Sequence, residues 1–138
     1  MVHTEQLTLE PQGGFAVDNI TERVRSVVLA SGIREGMALV FYQHTTGAII
    51  LDEHEAGVIA DIEAALEKVS PVGADYCHHL RNVDFNAHAH VRTALLGAQV
   101  VIPVAKGDLF LGRYQEVLAI DMQTDRAPRY VVVTVMGE

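Results

Sequence analysis

The spacing of hydrophobic residues along the chain switches between the period of strands and that of helices. Residues 4–9 alternate polar and apolar side chains, which predicts a half-buried strand. Residues 20–29 place apolar side chains on one side of a helix, and Asn19 with Glu22 forms the pattern of a capping box at its start. The same helical spacing returns over residues 57–69 and predicts a second helix.

The remaining apolar segments are short and rich in β-branched residues, which favours strands. These strands are predicted over residues 38–44, 48–51, 100–104, 109–111, 116–121 and 130–136. Residues 75–89 show no sustained period and predict a loop that contains His88, followed by a short helix from about Ala89 to Leu96 that Gly97 closes. This order predicts a single α+β domain over residues 1–138, with a mainly antiparallel β-sheet and helices packed on one face.

The composition narrows the possible partners. The chain has 138 residues and a formal net charge of −8, so a protein that works by neutralising nucleic-acid phosphates is not expected. No apolar run approaches the roughly 20 residues of a membrane helix, so no membrane partner is expected. Cys77 is the only cysteine, which excludes an intramolecular disulfide, and the polar first residues do not resemble a signal peptide. We therefore expect a cytoplasmic protein.

Histidine is the residue whose number stands out. The chain has seven histidines, and all but His3 lie between His44 and His90. His44, one of the pair His78 and His79, and His90 are far apart in sequence, so only the fold could bring them together. Three imidazoles without a thiolate are typical of a catalytic metal site with an open position, and the alternative is a set of solvated loop histidines. His78 and His79 point in different directions on a strand or a helix, so at most one would bind a given ion.

Other polar residues could complete such a site. A carboxylate from Glu53 or Asp61 could ligate the metal or orient an imidazole. Thr45 begins a Thr-Thr-Gly connection, and Asn86 lies in the predicted loop; each is either a turn residue or a hydrogen-bonding group for a ligand. Four cations lie among the C-terminal turns, where they are either solvated or able to hold an anion: Lys106, Arg113, Arg126 and Arg129.

A set of short motifs spread over almost the whole chain resembles the YjbQ family (UPF0047). The matching elements are Gln43-His44-Thr45-Thr46, Leu51-Asp52-Glu53, Asp61, Tyr76, His78, Asn86-Ala87, Ala89-His90, Leu95-Leu96-Gly97, Ile102-Pro103-Val104, Lys106-Gly107, Leu111-Gly112, Gln115 and Gly137-Glu138. The resemblance implies a small α+β fold, a homotrimer and a histidine-lined pocket near subunit contacts. Three positions depart from the family pattern: Asp52 replaces the usual asparagine, Tyr114 replaces the usual tryptophan, and His79 lies near a position that is often acidic in the family.

The same resemblance implies site residues and an activity. The family's polar positions fall here on His44, Thr45, Glu53, Asp61, His78, Asn86, His90 and Gln115. The implied activity is that of a thiamine-phosphate synthase, which joins hydroxymethylpyrimidine diphosphate to thiazole phosphate. We therefore expect a phosphorylated small-molecule substrate.

The predicted metal set His44, His78 and His90 does not suit every cation. Diphosphates usually pair with magnesium, which prefers oxygen ligands, whereas imidazoles suit a divalent ion such as zinc. Two alternatives therefore stay open. One is a metal-dependent hydrolase of a small phosphorylated or carbonyl compound, in which Glu53 or Asp61 acts as the base. The other is a trimeric protein that binds a small ligand or metal without turnover.

Overall fold

Two antiparallel sheets and three α-helices make up the fold, seen in a computed structural model that describes residues 1–81 and 83–138. The elements are β1 (Val2–Leu9), β2 (Ala16–Asn19), α1 (Thr21–Ser31), β3 (Gly36–Tyr42), β4 (Gly47–Asp52), α2 (Ala56–Val69), a 3-10 helix (Cys77–Arg81), α3 (Ala87–Leu96), β5 (Gln99–Ala105), β6 (Asp108–Leu109), β7 (Glu116–Asp121) and β8 (Arg129–Gly137). The larger sheet has the order β1-β8-β3-β5-β6 and the smaller one β2-β7-β4. The predicted α+β class is confirmed, but the strands form two sheets where the sequence predicted one.

The main core lies between the two sheets. Every second residue of β8 points inward, so Val131, Val133 and Val135 are fully buried. Val117 and Ala119 of β7 belong to the same apolar cluster, as do Val24, Val27 and Val28 of α1. Burying these side chains removes apolar surface from water, which is the main force that holds the two sheets together.

A second cluster covers the outer face of the smaller sheet. Ala48 of β4 and Ile120 of β7 point away from the main core and pack with Leu66 of α2 and Ala89 of α3. This cluster fixes α3 against the start of β4. It therefore positions His90, one of the predicted site residues, next to the segment that follows His44.

The start of α1 differs from the predicted capping box. Asn19 is the last residue of β2, and its side-chain oxygen accepts hydrogen bonds from the backbone N–H of Thr21 at 3.1 Å and from its hydroxyl at 2.6 Å. Glu22 pairs with Arg25 at 2.5 Å and does not reach back to the N-cap. The prediction was wrong because β2 continues to Asn19 and moves the helix start one residue further along.

The loop predicted over residues 75–89 is more regular than its sequence suggests, although residue 82 lies outside the described residues. It contains the 3-10 helix, and α3 begins at Ala87, two positions before the predicted start. Nε2 of His79 accepts a hydrogen bond from the backbone N–H of Ala87 at 3.3 Å, which satisfies one of the free donors at this helix start. His88 consequently lies on the helix and is 3% exposed, so its predicted loop position was wrong.

The helices of the described ranges are all too short or too polar to cross a membrane.

Candidate functional site

A polar pocket of about 380 Å³ lies where α3 meets the ends of the strands. Chain segments from several elements meet there: the connection after β3, the 3-10 helix, the first turn of α3 and the start of β8. The residues that line the pocket are His44, Thr45, Thr46, His78, Arg81, Asp84, Asn86, His90, Gln123, Asp125 and Arg129. The structure thus brings together five of the eight site residues predicted from the resemblance.

The three predicted histidines have different surroundings. The ring of His90 lies edge-on to that of His78, with 4.8 Å between the centroids. Burial and the neighbouring His78 lower the pKa of His90, against the opposing effects of the Thr45 backbone and Asp84. Nε2 of His44 accepts a hydrogen bond from the backbone N–H of Tyr130 at 3.0 Å, and burial together with Arg129 lowers the pKa of His44, against the opposing effect of Asp121.

His78 is the member of the histidine pair that enters the pocket. Its Nε2 lies 3.1 Å from Oδ1 of Asn86, whose Nδ2 donates to Oε1 of Gln123 at 2.9 Å. This chain of hydrogen bonds fixes the orientation of His78. The ring of His79 instead packs edge-on between Tyr76 and Phe85, with centroid distances of 5.2 Å to each.

Arg129, which lines the pocket, belongs to a buried ion pair. Nε of Arg129 donates to Oδ1 of Asp121 at 2.9 Å, and these side chains are 8% and 3% exposed. The hydroxyl of Tyr42 lies 3.4 Å from the same carboxylate oxygen, and burial, followed by the charge of Asp121, raises the pKa of Tyr42. Arg129 therefore brings a fixed cation to the pocket.

An apolar pocket of about 620 Å³ opens beside the polar one. Phe41, Ala94 and Ala98 contribute to its lining, and it shares His44, Thr45 and His90 with the polar pocket. The two pockets together could hold a ligand that has one charged group and one flat apolar part.

Three residues that the resemblance assigns to the site do not line the polar pocket. Glu53 follows β4, and Gln115 precedes β7, where its Oε1 accepts from the backbone N–H of Gly112 at 2.8 Å. Because β4 and β7 are antiparallel, both residues lie at the end of the smaller sheet opposite Gly47, and β4 spans about 17 Å from Gly47 to Asp52. Asp61 is exposed on α2. Their assignment to the site stays a prediction.

The residues of the polar pocket fit a metal only in part. Across residues 1–81 and 83–138, no three His, Cys, Asp or Glu side chains converge as a metal-binding group. The lone pair of His44 Nε2 already accepts the Tyr130 N–H, so the neutral ring carries its proton on Nδ1 and has no free lone pair for a metal while this bond is made. The divalent metal predicted on His44, His78 and His90 stays a prediction.

Sequence reasoning missed several residues of the pocket. Arg81, Asp84, Gln123 and Asp125 were not predicted, although Asp121 and Asp125, shortly before Arg129 in the sequence, indicate that an acidic partner is near it. Of the four C-terminal cations, Arg129 lines the polar pocket, whereas Lys106, Arg113 and Arg126 do not. Cys77 is exposed and lies outside the lining.

Comparisons with known proteins agree with this architecture. Residues 5–138 match the family model described as UPF0047 protein YjbQ-like. A UPF0047 protein of Methanothermobacter thermautotrophicus is 36% identical over 137 residues, which cover 99% of this chain and 94% of the relative. A second UPF0047 protein, from Archaeoglobus fulgidus, is 37% identical over 92% of this chain and 97% of its own length.

Solved structures show the same fold. A YbjQ-like protein of unknown function from Sulfolobus solfataricus superposes with a TM-score of 0.95 and 33% identity, covering 100% of this chain and 99% of that one. A hypothetical protein from Aeropyrum pernix has a TM-score of 0.91 and 31% identity, with 98% of each chain covered. With the family model matched over residues 5–138, this chain belongs to the YjbQ-like UPF0047 family.

Proposed function

We propose that this chain is a transferase that acts on a phosphorylated small molecule, with the thiamine-phosphate synthase reaction as its chemistry. The observation that carries the proposal is the junction of the two pockets. The polar pocket offers guanidinium, imidazole and amide donors for a phosphate or diphosphate, and the apolar pocket offers space for a ring. His44, Thr45 and His90 lie at the junction, where the bond between ring and diphosphate would be placed.

The reaction requires little proton transfer by the protein. The bond between the pyrimidine methylene carbon and the diphosphate oxygen breaks, and that carbon forms a bond with the thiazole nitrogen, which uses its own lone pair. Pyrophosphate leaves with the electrons of the broken bond. The main requirement is therefore to stabilise negative charge on the leaving group, a task suited to Arg81, Arg129 and the imidazole N–H donors.

His44 fits the task of a hydrogen-bond donor. Because its Nε2 accepts the Tyr130 N–H and its pKa is lowered, the neutral ring carries its proton on Nδ1. His78 and His90 would hold a divalent metal if one binds, and His44 would join them only if its hydrogen bond to the Tyr130 N–H were broken. Such an ion would add positive charge near the leaving diphosphate.

The direct test supplies both substrates to the purified protein and measures thiamine phosphate by chromatography, with magnesium, zinc, manganese or no added metal. We expect product from wild type and a loss of about 100-fold in His90→Ala, a size typical of removing one transition-state donor. His54→Ala is the matched control, because His54 is exposed and does not line either pocket. Wild-type protein that forms no product under any metal condition would overturn the proposal.

A metal-dependent hydrolase is the second candidate. The close approach of His78 and His90, at 4.8 Å between ring centroids, favours it because two imidazoles could begin a metal site. Elemental analysis of untagged wild type and of His78→Ala/His90→Ala, with hydrolysis of phosphate esters as the activity, tests this candidate. Tight binding of a phosphorylated compound without turnover would instead favour the non-catalytic alternative.

The homotrimer and the cytoplasmic location are proposed with this function. Support for self-association comes from the outer face of the larger sheet, which is apolar and exposed. Met37 and Phe41 of β3, Val101 of β5, and Tyr130 and Met136 of β8 are 37–52% exposed there. Phe41 also lines the apolar pocket, so subunits that cover this face would lie next to the site.

A further inference from the structure

Arg129 uses only part of its hydrogen-bonding capacity within the protein. A guanidinium has five N–H donors. Nε donates to Oδ1 of Asp121 at 2.9 Å, and Nη2 donates to the backbone carbonyl of Asp125 at 3.0 Å. Within the described part of the chain Nη1 makes no hydrogen bond, although the side chain is only 8% exposed and lines the polar pocket. The unused N–H donors are therefore available to a ligand in the polar pocket.

The burial of the pair limits how Arg129 can move. Asp121 is 3% exposed at the end of β7, and Arg129 begins β8, so both partners are anchored in strands. A buried guanidinium cannot leave its carboxylate without a large loss of electrostatic energy. Arg81 of the 3-10 helix is exposed, and within the described residues its side chain makes no ion pair like that of Arg129. Arg129 is thus the cation of the pocket whose direction is set before a ligand arrives.

The charges around Arg129 define what it can contribute. Asp121 balances its charge, and the exposed carboxylates of Asp84 and Asp125 line the pocket together with Arg81. The lining as a whole is therefore not strongly cationic. What Arg129 adds is a planar edge of oriented N–H donors, which matches two oxygens of a phosphate group.

We propose that Arg129 fixes the position of a phosphate or diphosphate group in the polar pocket, and that Asp121 is the positioning residue that holds its guanidinium. The inference rests on the proposed function for the class of ligand, and it adds the residue that recognises this group. It also places the charged end of the ligand at the start of β8. The ring end then extends past His44 and His90 into the apolar pocket.

The test measures binding of inorganic pyrophosphate by titration calorimetry to wild type and to Arg129→Lys. Lysine keeps the charge beside Asp121 but loses the planar edge, so the dissociation constant is expected to rise about tenfold, equivalent to roughly 1.4 kcal/mol. Arg25→Lys is the matched control, because Nε of Arg25 pairs with Asp108 at 2.6 Å on the surface, outside the pocket. Equal affinity of wild type and folded Arg129→Lys would overturn the inference.

Two further variants test the inference if Arg129→Lys does not fold. Asp125→Asn removes an exposed carboxylate 3.7 Å from Nη2 of Arg129, so pyrophosphate is expected to bind about two- to fivefold more tightly. Asp121→Asn is followed through the Nε–H resonance of Arg129 in ¹⁵N NMR spectra. Pyrophosphate should shift this resonance in wild type and shift it much less in Asp121→Asn. An Arg129 resonance in wild type that does not respond to pyrophosphate overturns the inference.

The outcomes separate this inference from the proposed function. If thiamine phosphate forms but Arg129→Lys binds pyrophosphate like wild type, the role of Arg129 is wrong and the proposed function stands. If Arg129→Lys weakens pyrophosphate binding but no thiamine phosphate forms, the anchor is supported and the proposed reaction is wrong. Wild type that binds no pyrophosphate at millimolar concentration overturns the anchor, and the turnover assay then decides the function by itself.

Discussion

Nε2 of His44 accepts a hydrogen bond from the backbone N–H of Tyr130 over 3.0 Å, which joins the segment after β3 to the start of β8. The bond fixes the neutral ring in the tautomer that carries its proton on Nδ1. Protonation of Nε2 would break the bond, and burial and the charge of Arg129 further disfavour the charged ring. The hydrogen bond and the lowered pKa of His44 therefore both favour the neutral ring.

Stability is expected to fall as the pH drops below about 6.5. Burial is the largest cause that lowers the pKa of His44, His88 and His90 from the ordinary value of 6.5. Below that value the unfolded chain binds more protons than the folded one, so the free energy of unfolding rises with pH through this window and levels off above it. Urea unfolding at intervals between pH 5.5 and pH 7.5, roughly the range in which histidine titrates, measures this slope.

His88→Gln provides the comparison for the pH effect, because His88 is buried outside both pockets. Its ring must become charged on unfolding at low pH, and glutamine has no such group. The variant should therefore show a shallower loss of stability between neutral and mildly acidic pH than wild type. An identical slope in the two proteins would contradict a contribution from His88.

Breaking the buried ion pair should destabilise the fold strongly. Asp121→Ala leaves the guanidinium of Arg129 buried without its carboxylate, and the expected cost is about 3–5 kcal/mol of unfolding free energy. Asp108→Ala is the control, since Asp108 pairs with Arg25 at the surface, where such pairs contribute up to about 1 kcal/mol. Denaturant unfolding of both variants measures the difference, and similar losses would show that burial does not set the value of the Asp121 pair.

Much of the fold follows from local patterns, whereas the ion pair does not. The predicted helix over 57–69 and the predicted strand over 116–121 are close to the observed α2 and β7, because the spacing of apolar residues within each segment is enough to predict it. Asp121 and Arg129 look like ordinary turn-flanking charges in sequence. Their burial depends on the second sheet, whose existence no local pattern predicts. The polar pocket is an intermediate case. The number of histidines between His44 and His90 indicated the histidines of the pocket, but not the residues that they contact.

Gly47→Ala tests the close packing beneath the pocket. A Cβ at Gly47 would overlap the ring of Tyr42 and lie 2.8 Å from the carbonyl oxygen of Ile120. Tyr42 is 1% exposed and has little room to move, so the variant should lose about 1–3 kcal/mol of unfolding free energy. Gly73→Ala is the matched control, because a Cβ there meets nothing within 4 Å. Equal stability of the two variants in thermal and denaturant unfolding would contradict the packing argument.

The proposed homotrimer should depend on the outer face of the larger sheet. Val101→Lys places a charge on that face, where the side chain is 52% exposed in the single chain, so folding should be retained while association is lost. Light scattering is expected to give three times the chain mass of 15.0 kDa for wild type and the single mass for the variant. Leu29→Lys, at a position of α1 that is 76% exposed, should stay trimeric. Trimeric Val101→Lys would place the interface elsewhere, and monomeric wild type would exclude the trimer.

The hydrogen-bond chain that orients His78 gives a prediction for turnover. Asn86→Ala removes the group 3.1 Å from His78 Nε2 and leaves the Gln123 amide oxygen without the donor that lies 2.9 Å away. We expect kcat/KM for thiamine phosphate formation to fall about tenfold, the effect of roughly 1.4 kcal/mol. Asn86→Asp keeps an acceptor for His78 and should retain more activity than Asn86→Ala. If both variants are folded and equally impaired, the orientation of His78 is not what Asn86 contributes.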